Sequence, residues 1–466
     1  MSDSDRELFI ISDLHLGGTA PKPGSADRRG FRLCTQVDAL AKFIEMVTKR
    51  CMSCATELVI NGDFVDFLAQ PQPRGDRWRP FLDDPLLALD SLKEIAEDHK
   101  AIFDNLAAVL AAGHRITLML GNHDVELSFP MLRRWLGYRL GDPEGRLLRF
   151  VFDGEAYTVG RCLIEHGNRY EGFNITDYDG LRRHRSAQSR GQAVRKQHCF
   201  AVPPGSHLVA ELMNPLKDQR FAFVDLLKPE VQAVLPVLLA LDPRLLTKAS
   251  RLFGLKVRAM SRDPVAPVTP RRGGDMNAES SGENSASNPL QQMLEEVLGR
   301  DDARAFLDDM PAEERHGGEI ASTLPRPKLV ALWLALRRLE RDRSFERTVE
   351  TDKHYLQAAQ ELFHAGFDCV AFGHTHLAKK IPLKGGGVYL NSGTWADPIQ
   401  LPAPCIDPDM GTGIPALQTF LDRIESNDLV GLIVQIPTFL YVLVQANGQV
   451  AQAELRDFDF NRPVLE

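Results

Sequence analysis

The stretch Leu118-Met119-Leu120-Gly121-Asn122-His123-Asp124 decides how the chain is read. An apolar run stops, a glycine turns the backbone, and an amide, an imidazole and a carboxylate follow at once. Four other segments repeat the pattern. Leu8-Phe9-Ile10-Ile11 leads into Ser12-Asp13-Leu14-His15, and Leu58-Val59-Ile60 leads into Asn61-Gly62-Asp63-Phe64-Val65-Asp66. Arg161-Cys162-Leu163-Ile164-Glu165 leads into His166-Gly167-Asn168, and Cys369-Val370-Ala371-Phe372 into Gly373-His374-Thr375-His376. Short apolar runs bounded by turn residues read as buried strands. Ligands of open α/β sheets gather at the carboxyl ends of strands, which is where these polar residues fall. Gly62, Gly121 and Gly373 permit sharp turns there. Strand geometry predicts that Asp13 and His15 point the same way, and so do His374 and His376, each pair converging on one ion.

The residue types narrow the chemistry. His15, His166, His374 and His376, with Asp13, Asp63 and Asn122, outnumber what one four-coordinate ion takes. They suit two divalent ions sharing a carboxylate, with the mixed nitrogen and oxygen ligation of manganese, iron or zinc. The Asn122 amide offers a neutral oxygen, which adds no charge to a site that admits an anion.

In this order, D-x-H, G-D, G-N-H-D, H-G and G-H-x-H, the motifs resemble those of the calcineurin-like metallophosphoesterase superfamily. The resemblance implies an α/β fold, a four-layer α-β-β-α sandwich of two mixed sheets carrying a large, mainly helical insertion. It implies that Asp13, His15 and His376 hold one metal, that Asn122, His166 and His374 hold the other, and that Asp63 bridges them. It implies that His123 is the general acid and that Asp124 orients its ring. The activity implied is hydrolysis of a phosphoester, as a phosphodiesterase or phosphatase, by a metal-bridging hydroxide, with manganese the first choice of metal. The Ser12-to-Gly18 opening, the helical insertion after His166-Gly167 and the stretch Asn391-Ser392-Gly393-Thr394-Trp395 are also similar to UDP-2,3-diacylglucosamine pyrophosphatases. Those enzymes carry Arg at the position of His123 and an acidic residue at that of Asn168. A nucleotide-lipid substrate is therefore the alternative, and a non-catalytic scaffold of the same fold is a second one.

Composition bounds the rest. The chain has 466 residues, 44% apolar and 25% charged, which is ordinary for a globular protein and excludes global disorder. A formal net charge of −8 excludes a general nucleic-acid binder, because phosphate backbones demand concentrated Lys and Arg. Seven scattered cysteines make no disulfide framework. The first residues lack a basic and then apolar leader pattern, and no uncharged apolar run reaches the roughly 20 residues of a spanning helix. The expectation is a cytoplasmic protein, at most bound to a membrane surface, acting on a phosphorylated small molecule or a nucleotide or lipid; the sequence sets no oligomeric state.

The organisation expected is discontinuous. Residues 1–200 form the first part of the core, and 201–350 form a helical insertion with a disordered linker near 261–288. Residues 351–396 resume the core with Gly373-His374-Thr375-His376, and 397–437 form a smaller insertion. Residues 438–466 close the sheet with a hairpin turning at Asn447-Gly448. In the long insertion Leu329, Val330, Leu332, Trp333, Leu336 and Leu339 fall on one helical stripe. From Gly180 to Ala210 there is no Asp or Glu but several Arg. Arg182 and Arg183, with Asn168, are the candidate substrate contacts.

Overall fold

The computed structural model describes residues 5–19, 30–50, 54–72, 77–194, 199–219, 227–228, 326–337, 343, 345–396, 398–425, 428, 431–433 and 437–459. The strands run, in chain order, β1 (Arg6–Ile11), β2 (Ala55–Asn61), β3 (Arg115–Met119), β4 (Leu148–Val151), β5 (Tyr157–Val159), β6 (Cys162–Ile164) and β7 (Leu227–Lys228). They continue with β8 (Cys369–Phe372), β9 (Ala378–Pro382), β10 (Val388–Ser392), β11 (Ile399–Gln400), β12 (Thr438–Val444) and β13 (Val450–Asp457). One sheet has six strands in the order β13-β12-β1-β2-β3-β4, and a second has five in the order β5-β6-β8-β10-β9. Both are mixed. In the first, β1 to β4 are parallel, while β12 pairs antiparallel with both β1 and β13. In the second, β6, β8 and β10 are parallel, with β5 and β9 antiparallel at the edges.

Side-chain alternation stacks the layers. Leu8, Ile10, Val59 and Met119 of the first sheet pack against Cys162, Ile164, Cys369, Ala371 and Leu390 of the second. Phe9, Ile11, Leu58 and Ile60 face the other way, onto helices. Those are α1 (Val37–Thr48), α2 (Pro85–Asp98), α3 (Lys100–Ala111) and α4 (Pro130–Arg139). In α1 the buried set is Leu40, Phe43, Ile44 and Val47, one amphipathic face. Asp84 caps α2 through the Leu86 N–H at 2.8 Å, with Pro85 in the first turn. On the far side of the second sheet, Val370, Phe372 and Tyr389 pack on Tyr355, Ala358 and Ala359 of the helix Lys353–His364. The layers are therefore helices, sheet, sheet, helix, and the protein is α/β with two mixed sheets.

The two insertions meet. The helix Arg326–Arg337 carries the predicted stripe, with Leu329, Leu332, Trp333 and Leu336 buried. Trp333 Nε1 donates to Asp407 O at 3.2 Å, and the helix packs on Met410–Glu425. β7 pairs with β11. Residues 397–437, read from sequence as a separate insertion, thus share contacts with pieces of the longer one. The linker near 261–288 and the last position of the stripe, Leu339, lie outside the described residues. Among the described residues, no helix is long and apolar enough to cross a membrane.

A buried carboxyl fixes the connection beside the decisive glycine. Glu126 lies in the short helical turn Val125–Ser128, and its Oε1 accepts the Leu82 N–H at 2.8 Å. Burial pushes it up to about 8, the nearby Asp124 and Asp66 add to this, and its backbone donors oppose it. A raised folded-state value stabilises fully below the ordinary value of 4.5 and loses that stability as pH climbs through about 8. Glu126→Gln removes the ionisation. We predict that at pH 8 the variant is more stable than the parent by roughly 2–4 kcal/mol, because each pH unit separating the folded from the ordinary value is worth about 1.4 kcal/mol. Denaturant melts between pH 5 and 9 test this, and parallel pH dependences in the two proteins would refute it.

Candidate metal centre

The loops after β1, β2, β3, β6 and β8 gather at one end of the two sheets. Asp13, His15, Asp63, His374 and His376 have φ of 54°, 45°, 50°, 69° and 61°, and they are the non-glycine residues in left-handed conformation among those described. Each such residue costs roughly 1–3 kcal/mol, and clusters of them mark functional sites. Hydrogen bonds hold the bends. Leu14 N and His15 N both donate to Asp63 O at 2.9 Å, and His374 N donates to the Asp13 carboxylate at 2.9 Å. Glycines make room: a Cβ on Gly121 would collide with the Asp63 carboxylate, and one on Gly62 with the His166 ring.

The bends change which side chains meet. The predicted extended backbone is absent at both D-x-H and H-x-H. Asp13, His15 and His376 form one group, Asp63, His166 and His374 another, and His15, Asp66 and His123 a third that shares His15 with the first, the ligand atoms of each lying within 4.8 Å of one another. Asp13 and His15 do converge, whereas His374 and His376 part company between the groups.

Outer hydrogen bonds fix which ring nitrogens face inward. His15 Nδ1 lies 3.1 Å from Asp66 Oδ2, and its Nε2 is 3.0 Å from His376 Nε2 and 3.8 Å from Asp63 Oδ2. His166 Nδ1 donates to Asn61 O at 2.8 Å. Its Nε2 lies 3.2 Å from Asp63 Oδ2 yet makes no aligned hydrogen bond. A neutral His166 would therefore aim a lone pair at a carboxylate oxygen. A cation between them, or a proton on the ring, resolves that contact. Asn122 Oδ1 is likewise buried without a partner, and a buried orphan acceptor of this kind calls for an ion or water. The donor set fits divalent ions: imidazoles whose far nitrogens are held by carboxylate or carbonyl, buried carboxylates and one amide oxygen.

The electrostatics agree. Burial works against charge at Asp63, but His166, His123 and His15 hold it well below the usual carboxylate range. Burial also opposes a charged His166, yet Asp63 and Asp13 raise it to about 9. The pocket of anions attracts positive charge, and a metal ion can take the place of that proton.

His123 stands beside the first two groups. Its N–H donates to Asp63 Oδ1 at 2.8 Å, and its Nδ1 lies 3.1 Å from Asp66 Oδ2. The carboxylate expected there was Asp124. Asp124 instead turns away to accept Gly121 N at 2.7 Å and Phe64 N at 2.8 Å, a brace between two ligand loops. The orienting carboxylate is Asp66, three residues after Asp63 in the segment that follows β2. Burial would lower His123, but Asp66 and Asp63 raise it to about 10. Asn168, expected to touch substrate, is buried and gives its amide to Asn174 O at 2.9 Å and Thr176 Oγ1 at 3.0 Å. It is a loop brace, because its donors are spent inside the protein. Arg182 and Arg183 are exposed on the helix α5 (Tyr178–Gln188), where with Arg190 they line a surface hollow of about 270 Å³. No hydrogen bond or ion pair joins them to the ligand groups among the described residues. Glu171, unread in the sequence, lies 2.8 Å from His374 Nε2.

No family model matches this chain, and no curated protein matches it either. Fold and site on their own define an α/β protein whose strand ends carry buried His and Asp groups able to hold a metal ion. Gly121→Ala tests the centre without touching a ligand. The added methyl displaces Asp63, and the expected result is a loss of Mn²⁺ affinity of about tenfold or more with the far-ultraviolet circular dichroism unchanged. Titration calorimetry reads it, and undiminished affinity would show that Asp63 takes no part.

Proposed function

We propose that the chain is a metal-dependent phosphoester hydrolase with a two-ion centre, and that its layered sandwich is that of the calcineurin-like metallophosphoesterases it resembles. The observation that carries this reading is the place of Asp63 between the two ligand groups, with the Asp66–His123 pair at its side. Asp13, His15 and His376 would hold one ion, and Asn122, His166 and His374 the other, with Asp63 shared. Manganese is the first choice for such mixed ligation, with iron and zinc as alternatives. Two bound ions would activate a water and neutralise charge on the phosphoryl oxygens.

The chain's own groups do the remainder. Asp66 holds His123 by Nδ1, so the transferable proton sits on Nε2. Against the effect of burial, Asp66 and Asp63 raise the value of that ring to about 10 in the ion-free chain, which favours the protonated form a general acid for the leaving oxygen requires. The Asn122 amide, whose Oδ1 is buried without a partner, would bind an ion through a neutral oxygen and add no charge against an anionic substrate. Asp124 ties the loop after β3 to that after β2, fixing His123 relative to Asp63.

The test uses leaving groups of different demand. We expect Mn²⁺-dependent turnover of bis-p-nitrophenyl phosphate or p-nitrophenyl phosphate, abolished by chelation and restored by Mn²⁺. Nitrophenolate departs without a proton, whereas an alkoxide needs one. His123→Ala should therefore lower kcat on an alkyl ester by about 10²–10⁴ and on the nitrophenyl ester far less. Absence of any metal-dependent turnover, or an equal loss on both esters, would overturn this assignment.

A further inference from the structure

Glu171 lies outside every motif, yet its carboxylate reaches a candidate ligand. Its Oε2 is 2.8 Å from His374 Nε2. The group of possible ligands that contains His374 comprises Asp63 and His166 but not Glu171. With Nε2 engaged by Glu171 as a donor, Nδ1 is the nitrogen whose lone pair remains. The His374 backbone is held independently, by its N–H on Asp13 and its left-handed φ of 69°. Backbone and ring are thus held by separate carboxylates.

Glu171 is itself braced. Asn174 Nδ2 donates to the same Oε2 at 2.7 Å, and Asn174 N donates to Glu171 O at 3.0 Å. The buried Asn168 amide holds Asn174 O and Thr176 Oγ1. Gly205 N, at the entry to the long insertion, donates to Phe173 O at 2.9 Å. A chain of fixed contacts runs from the insertion's first turn to one face of the candidate centre.

We propose that Glu171 is a positioning residue that sets the tautomer of His374, holding Nε2–H so that Nδ1 is presented to one of the two ions. The inference rests on the two-ion reading of the site. A carboxylate behind a ligating imidazole orients the ring and makes it a better donor, and its loss typically weakens metal binding by about 10–100-fold. The same relation already holds for His15 with Asp66 and for His166 with Asn61 O. His374 completes the set with a residue remote from both in sequence.

Calorimetry of the full, metal-stripped chain with Mn²⁺ separates the outcomes. The parent should take up two ions. Glu171→Ala should bind one ion as before and the other about 10–100-fold more weakly. Glu171→Gln keeps a carbonyl oxygen able to accept Nε2–H and should recover most of that loss. Asn174→Ala, which removes the second donor to the carboxylate, should give a smaller loss at the same ion and stands in if Glu171→Ala does not fold. Equal melting temperatures of the ion-free proteins exclude a general loss of structure. Two ions bound undiminished by Glu171→Ala would overturn the proposal. So would equal losses in the Ala and Gln variants, because the carboxylate would then be a ligand itself. A parent chain that binds no ion would instead sink the two-ion reading, and this inference with it.

Discussion

Asp63 Oδ2 sits 3.2 Å from His166 Nε2 and 3.8 Å from His15 Nε2, while Oδ1 accepts the His123 N–H at 2.8 Å. Its main-chain oxygen also takes the N–H groups of Leu14 and His15. One residue thus joins the loops after β1, β2, β3 and β6. None of this is cheap, because a buried carboxylate needs compensation from neighbouring positive charge or hydrogen bonds. Imidazoles and backbone amides supply it. The left-handed turns at five candidate ligand positions are the geometric counterpart: the chain accepts local strain there.

That strain is tolerable because the strands beneath it are rigid. β1, β2 and β3 are parallel neighbours, and β6 and β8 are parallel neighbours in the facing sheet. Their apolar inner faces lock the sheets together. Register between strands then sets the spacing between loops. The Asn391-to-Trp395 segment, which begins at the end of β10, adds a further tie. Thr394 Oγ1 donates to Asp13 O at 2.7 Å, and Ser392 Oγ lies 2.6 Å from Ser12 Oγ.

Much of this was legible in the sequence, for a physical reason. A strand buried on both faces must be apolar throughout, so Leu8 to Ile11, Leu58 to Ile60 and Cys369 to Phe372 announce themselves, and the polar residues after them mark the strand ends. The C-terminal hairpin was equally plain at Asn447-Gly448. β4, β5 and β9 were not, because they are short and mix exposed with buried positions. The helices covering the first sheet were available in the spacing of Leu40, Phe43, Ile44 and Val47 but went unread. Asp66 stood in view three residues from Asp63, yet a motif states which residues are present and not which way they turn. Asp124, the sequence neighbour of His123, points back into the backbone instead. Glu171 had no local signal at all, since its partner His374 is reached only through the folded sheet.

The order of the six-stranded sheet also bears on how the protein is made. β1 pairs on one side with β2, some fifty residues on, but on the other with β12 (Thr438–Val444), which lies more than four hundred residues further along the chain. Until it emerges, Phe9 and its neighbours form an open, apolar strand edge, which is the kind of surface that pairs with other chains. Pairing over such a span is slow, because a long loop must close first. That edge stays open until β12 has been made, and the group of Asp13, His15 and His376 likewise forms only after more than three hundred and fifty further residues have followed Asp13.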